Sequence, residues 1–142
     1  MTTDEMYDFA IDRGCVLYKA HIPAAVSITI DTGILNIAID KSLTQSEERV
    51  ALAHELGHCE TGSFYRRGIP GQCRAQLENR ANKWAYAELL PEMEIRAAYA
   101  AGIIENWDLA EHFGVTEEFV VAALEYYTER CGIDFNDVGD EW

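Results

Sequence analysis

The chain is poor in positive charge and has no long apolar run. Eleven Lys and Arg stand against 25 Asp and Glu in 142 residues, which gives a formal net charge of −14. Proteins that bind nucleic acid usually present a basic face, so direct DNA binding is not expected. No apolar run approaches the ~20 residues that span a membrane. The acidic start, residues 1–5, lacks the basic and apolar stretches of a secretory signal, and we expect a cytoplasmic protein.

Paired cysteines are also absent. The four cysteines lie at positions 15, 59, 73 and 131, and none forms a C-x-x-C pair. In a cytoplasmic protein they are expected to be reduced. Cys59 and Cys73 could bind a metal ion, but packing as small apolar residues is the more common role.

One stretch, residues 47–60, carries a recognisable chemical pattern. It contains His54-Glu55-Leu56-Gly57-His58, an H-E-x-x-H sequence. On a helix, positions i and i+4 lie one turn apart on one face, so the two imidazoles can bind one metal ion. Glu55 is rotated about 100° from His54 and can instead reach a water molecule beside that metal. Two nitrogen ligands and a nearby carboxylate are typical of a zinc hydrolase.

The alternative is a helix whose histidines are only hydrogen-bonded. The apolar residues that precede His54 indicate a buried helix, and buried polar groups need partners. A metal ion would be such a partner for both imidazoles, so the metal interpretation is favoured.

The rest of the chain predicts an α+β fold. Residues 25–30 and 34–39 are separated by Asp31-Thr32-Gly33 and are typical of a β-hairpin. A hairpin alone is marginal and must pack on a helix. Thr44 or Ser46 can cap the motif helix, and Gly62 can end it. A short strand is predicted at 15–18, and further helices at 3–13 (capped by Thr3), 73–90, 92–101, 107–113 and 117–131.

No linker, repeat or low-complexity segment divides the chain. We therefore expect residues 1–142 to form a single domain, which is an ordinary size. The helices at 107–131, joined by Gly114-Val115-Thr116, faintly resemble a helix-turn-helix. Their many acidic residues argue against DNA reading and favour a packing unit.

A catalytic zinc site usually has three protein ligands, and the second long helix offers the third. Glu78 follows His58 by twenty residues and is flanked by apolar positions, so it is expected to face the interior. Asn82 lies one turn further on the same face and could orient a zinc-bound imidazole. Other candidates are less favourable because of their position or isolation: Glu60, Glu88, His21 and His112.

The segment between the two helices, residues 63–71, reads as a loop. Tyr65 and Arg66 are candidates there for contacts with the substrate or the transition state. A plain connector with solvated arginines is an equally good interpretation.

The two helices together resemble a known family. His54-Glu55-Leu56-Gly57-His58, then Glu78-Asn79-Arg80-Ala81-Asn82-Lys83-Trp84-Ala85, then Leu89-Leu90-Pro91 are similar to the motifs of the ImmA/IrrE metallopeptidases. The resemblance implies a small zincin-like domain. In it, a short β-hairpin or three-stranded antiparallel sheet packs on the motif helix and on a second metal-ligand helix, and a C-terminal helical part follows.

The resemblance also implies the chemistry. His54, His58 and Glu78 match the zinc ligands, and Glu55 matches the catalytic glutamate. Smaller members of the family, from phages and mobile elements, are anti-repressors that cleave a partner helix-turn-helix repressor. A zinc-dependent endopeptidase with such a substrate is therefore the expected function, although other divalent ions fit the same ligands.

Two further interpretations remain. In the first, a non-catalytic acidic regulator binds a repressor stoichiometrically and the metal site is structural; its surface charge would mimic DNA. In the second, the chain is a toxin–antitoxin partner. A metal site with an open position beside a cleft would favour the enzyme over the regulator.

Overall fold

A computed structural model describes residues 1–23, 25–64 and 70–136. The elements follow one another as α1 (Thr3–Asp12), β1 (Val16–Ala20), β2 (Ser27–Asp31), β3 (Leu35–Asp40), α2 (Gln45–Thr61), α3 (Gly71–Leu89), α4 (Glu92–Ala100), α5 (Asn106–Phe113), α6 (Glu117–Glu125) and a π-helical segment (Tyr126–Arg130). The predicted α+β class is confirmed. Across these three ranges, no helix has both the length and the hydropathy of a membrane span.

The three strands form one mixed sheet in the order β1-β3-β2. The predicted hairpin is confirmed, since β2 and β3 are antiparallel with Ile28 opposite Ala38. β1 differs from the three-stranded antiparallel alternative because it runs parallel to β3, with Leu17 opposite Ile37. After β1 the chain crosses to the opposite edge of the sheet, where it forms β2. It then turns back, and β3 lies between β1 and β2.

Capping residues set the helix starts. The backbone N–H of Glu47 donates to Thr44 Oγ1 (3.2 Å), and the N–H of Thr44 donates to Glu47 Oε1 (2.9 Å), so Thr44 is the cap of α2. The predicted cap of α1 was wrong by one residue. Thr2, and not Thr3, caps α1, because only Thr2 has a glutamate three residues later to close the reciprocal pair of hydrogen bonds.

The core lies between the inner face of the sheet and α2. Ile37 and Ile39 of β3 and Leu52 and Leu56 of α2 are almost completely buried. α3 packs on the other side of α2 and buries Ala81, Ala85 and Leu89. α2 is therefore covered on both sides, and its polar residues must find partners inside the protein.

The C-terminal helices close the far end of the core. Leu109, Val115 and Val120 are buried there, so the predicted packing unit around Gly114 is confirmed. The predicted helix 117–131 changes to a π-helical segment at Tyr126. Tyr127 in that segment donates its hydroxyl proton to the carbonyl oxygen of Leu90 (2.9 Å), just beyond the end of α3.

Candidate metal centre

Three side chains of α2 and α3 converge on one point. His54 and His58 lie one turn apart on α2, and their Nε2 atoms are 3.1 Å apart. Glu78 of α3 places Oε2 2.8 Å from Nε2 of His54 and Oε1 3.3 Å from Nε2 of His58. Their ligand atoms lie within 4.8 Å of one another, and they form the one such cluster of His, Cys, Asp or Glu among residues 1–23, 25–64 and 70–136. The structure thus brings together the three predicted ligands.

The outer nitrogen of each imidazole faces an oxygen acceptor. Nδ1 of His54 lies 2.8 Å from Oδ1 of Asn82, the residue suggested above as one that could orient a zinc-bound imidazole. Nδ1 of His58 lies 2.7 Å from the carbonyl oxygen of Ser63 and 3.2 Å from its hydroxyl. A carbonyl oxygen can only accept, so each Nδ1 carries the proton and each Nε2 presents a lone pair.

This arrangement fits a divalent cation. Two Nε2 lone pairs and a carboxylate face one another, and three acceptors repel unless a positive charge lies between them. Ligand atoms around a tetrahedral zinc ion are about 3.3 Å apart, given bond lengths of about 2.0–2.1 Å. The distances of 2.8, 3.1 and 3.3 Å are close to this spacing. His54, His58 and Glu78 would hold the ion.

The sequence prediction missed Ser63. This residue is fully buried and follows Gly62, which ends α2 in a left-handed conformation (φ 64°). The turn brings the carbonyl of Ser63 back over the last turn of the helix, where it meets His58. A serine after a helix-ending glycine is too common a pattern to indicate a metal-site role by itself.

Glu55 lies beside the cluster, and its carboxylate accepts hydrogen bonds from the sheet. Its side chain is buried, with the residue only 5% exposed. Ser27 donates its hydroxyl proton to Oε2 and Thr29 donates to Oε1, each at 2.6 Å. Both donors belong to β2, and the sequence prediction did not single out either one. The available signal was the alternation of polar and apolar residues along this strand.

A cleft opens over these groups. It has a volume of about 530 Å³ and is lined by Ala25, Val26, Ser27, Ile28, Thr29, His54, Glu55, His58, Phe64 and Glu78. The side chains of His54 and Glu78 are 22% and 31% exposed, so the cluster is accessible from this side. A larger hollow of about 880 Å³ lies elsewhere, between α1, α4 and α5. That hollow contains none of the three cluster residues, and we assign the chemistry to the smaller cleft.

The other candidate ligands lie away from the cluster. Glu60 forms an ion pair with Arg13, and Glu88 lines the larger hollow. Burial raises the pKa of Cys59 to about 12, with its neighbour Cys15 contributing, so this thiol stays protonated and packs against the core. Tyr65 and Arg66 lie outside the described residues, and their suggested contacts stay a prediction.

A comparison with models of known protein families finds a match that covers most of the chain. The family model Peptidase_M78, described as the IrrE N-terminal-like domain, matches residues 19–125. This range includes β2, β3 and the two helices of the cluster. Among curated proteins, none matches the chain.

Proposed function

Because the chain belongs to this family of IrrE N-terminal-like metallopeptidases, we propose that it is a zinc-dependent endopeptidase that cleaves a partner protein. The partner we propose is a helix-turn-helix repressor of a phage or mobile element, whose cleavage relieves repression in the cytoplasm. One observation carries the peptidase proposal. A three-ligand cluster opens on a cleft, and the carboxylate of Glu55 lies beside it.

Each residue of the site has a separate role in the proposed hydrolysis. A zinc ion bound by His54, His58 and Glu78 would supply Lewis acidity and lower the pKa of a nearby water molecule. Glu55 accepts the proton of the attacking water and passes it to the leaving amine. Asn82 and the carbonyl of Ser63 keep the two imidazoles in the orientation that the ligand role requires.

The edge of the sheet supports a peptide substrate. Among the strands that the structure describes, β2 lies at the edge of the sheet and pairs only with β3, and residues 25–29, in β2 and just before it, line the cleft. An extended peptide can add to such an edge through backbone hydrogen bonds. A helix has no free backbone groups for this pairing, so we expect cleavage in an extended or locally unfolded segment of the partner.

The charge of the chain supports a protein substrate over DNA. With a net charge of −14, the protein would be repelled by the phosphate backbone. An effect on transcription would therefore pass through a repressor protein.

The test combines the purified zinc-loaded protein with the helix-turn-helix repressor encoded beside its gene and follows fragments by mass spectrometry. We expect cleavage that stops on zinc chelation and returns on zinc addition. Glu55→Gln should abolish cleavage while keeping the bound zinc. Glu60→Gln, on the same helix but paired with a half-exposed Arg13, should cleave like the wild type. Equal cleavage by Glu55→Gln would overturn the role of Glu55.

The non-catalytic regulator is the second candidate, and the net charge of −14 is the observation that favours it. In this case the intact protein would displace the repressor from its DNA without cutting it. Glu55→Gln would then act as well as the wild type in a DNA-release assay, whereas a peptidase variant lacking its base would fail.

A further inference from the structure

The carboxylate of Glu55 is held by the sheet and not by its own helix. Oε2 accepts the hydroxyl proton of Ser27, and Oε1 accepts that of Thr29, both at 2.6 Å. Hydrogen bonds from a hydroxyl to a carboxylate of this length are charge-assisted and among the stronger ones in proteins. With one contact on each oxygen, both the direction and the rotation of the carboxylate are constrained.

Two residues of one strand can do this because of strand geometry. Ser27 and Thr29 are two positions apart on β2, so their side chains point to the same face. Their partners on β3 are Ile39 and Ile37, both buried against α2. The register of β2 on β3 therefore places the two hydroxyls opposite α2, where Glu55 lies.

The two contacts leave Glu55 able to act on water. A carboxylate has about four lone-pair sites, and the two hydroxyls occupy two of them. Each oxygen therefore retains capacity for one more hydrogen bond, and Glu55 lines the cleft together with His54 and His58.

We infer that Ser27 and Thr29 are positioning residues that hold the Glu55 carboxylate in its catalytic orientation beside the metal centre. This inference rests on the proposed peptidase function and extends it from the two helices to β2. The strand that can bind the substrate backbone then also orients the base. Neither hydroxyl is itself required to contact the substrate.

The kinetic test uses a library of random peptides, with products quantified by mass spectrometry and rates measured on a cleaved member of the library. We expect Ser27→Ala and Thr29→Val to lower kcat about tenfold or more with little change in KM, since a misplaced base costs rate and not binding. Thr29→Ser and Ser27→Thr keep a hydroxyl and should recover most of the rate. Ile34→Thr changes an exposed residue in the turn between β2 and β3 and should leave the rate unchanged.

A purely structural role predicts a different result. The variants would then melt at a lower temperature, and their activity would fall only in proportion to the fraction of unfolded protein. An unchanged kcat in folded Ser27→Ala and Thr29→Val would overturn the inference.

A second measurement does not depend on activity. In the metal-free protein with ¹³C-labelled glutamate carboxyls, the Glu55 signal is assigned by its loss in Glu55→Gln. We expect this signal to shift in Ser27→Ala and Thr29→Val and to stay in place in Ile34→Thr. An unshifted signal would show that the two hydroxyls do not hold the carboxylate.

The kinetic test and the NMR measurement together distinguish a failure of the proposed function from a failure of the positioning role. If the zinc-loaded wild type cuts neither the repressor nor any library peptide, the proposed function is wrong and the positioning role falls with it, even where the carboxylate signal responds. If the wild type is active but the signal does not respond, only the inference is wrong.

Discussion

Gly57 of α2 lies directly against the backbone of Ala81 on α3. A Cβ atom added at Gly57 would be 2.4 Å from the carbonyl oxygen of Ala81, well inside van der Waals contact. Gly57 is the fourth residue of the H-E-x-x-H motif, and Ala81 lies between Glu78 and Asn82. The absence of a side chain at Gly57 therefore lets the third ligand reach the two histidines.

The first prediction concerns this contact. Gly57→Ala should destabilise the protein by about 1–3 kcal/mol, the usual cost of overpacking, even though alanine favours a helix by about 1 kcal/mol. It should also weaken zinc binding, because separating α2 from α3 withdraws Glu78. Chemical denaturation and zinc titration measure the two effects.

Gly71→Ala is the matched control for Gly57→Ala. Gly71 begins α3, and an added Cβ there meets no atom of the described residues within 4 Å. We expect this variant to be as stable as the wild type or slightly more stable. A destabilised Gly71→Ala together with a harmless Gly57→Ala would contradict the close approach of the two helices.

The second prediction concerns Asn82, whose amide oxygen faces Nδ1 of His54. Asn82→Ala should lower the zinc affinity about 10- to 100-fold, the range typical of lost partners behind a metal ligand. Asn79→Ala, at an exposed position of the same helix, should bind zinc like the wild type. Competition with a chromophoric chelator gives both affinities, and equal values would remove Asn82 from the site.

The third prediction concerns the start of α2. Thr44→Ala removes the hydroxyl that accepts the hydrogen bond from the N–H of Glu47 and should lower the free energy of unfolding by about 0.5–2 kcal/mol. Ser46→Ala changes the other candidate cap and should cost much less. Denaturant titration of the two variants shows which residue caps α2. A larger loss of stability in Ser46→Ala than in Thr44→Ala would contradict the assignment of Thr44 as the cap.

The fourth prediction concerns alkaline pH. Burial, with smaller contributions from Tyr126, Cys131 and Glu92, raises the pKa of Tyr127 from 10.0 to about 12. The folded protein therefore holds this proton more tightly than the unfolded chain. The resulting stabilisation is complete below about pH 10 and is lost as the pH rises through about 12.

Tyr127→Phe tests this dependence. The variant loses the hydrogen bond to the carbonyl of Leu90 and should be less stable at neutral pH by about 1 kcal/mol. Between pH 10 and 12 the wild type should lose more stability than the variant, so the difference between them narrows. Parallel curves over that range would rule out Tyr127 as the titrating group.

Much of the metal centre was predictable because its spacing is local. The four-residue step between His54 and His58, and again between Glu78 and Asn82, follows from the period of the α-helix. The hairpin, the cap at Thr44 and the end of α2 at Gly62 depend on nearest neighbours along the chain. Such features can be predicted from the sequence because the residues involved lie within about one helical turn or one β-hairpin of each other.

The remaining features depend on which elements meet. The parallel pairing of β1 with β3, the contact of Gly57 with Ala81, and the hydroxyls of Ser27 and Thr29 on Glu55 join residues 20 or more positions apart. No local period predicts such pairs. Their geometry is set by packing of the sheet and α3 against α2, so only the tertiary structure decided that a strand holds the proposed catalytic carboxylate.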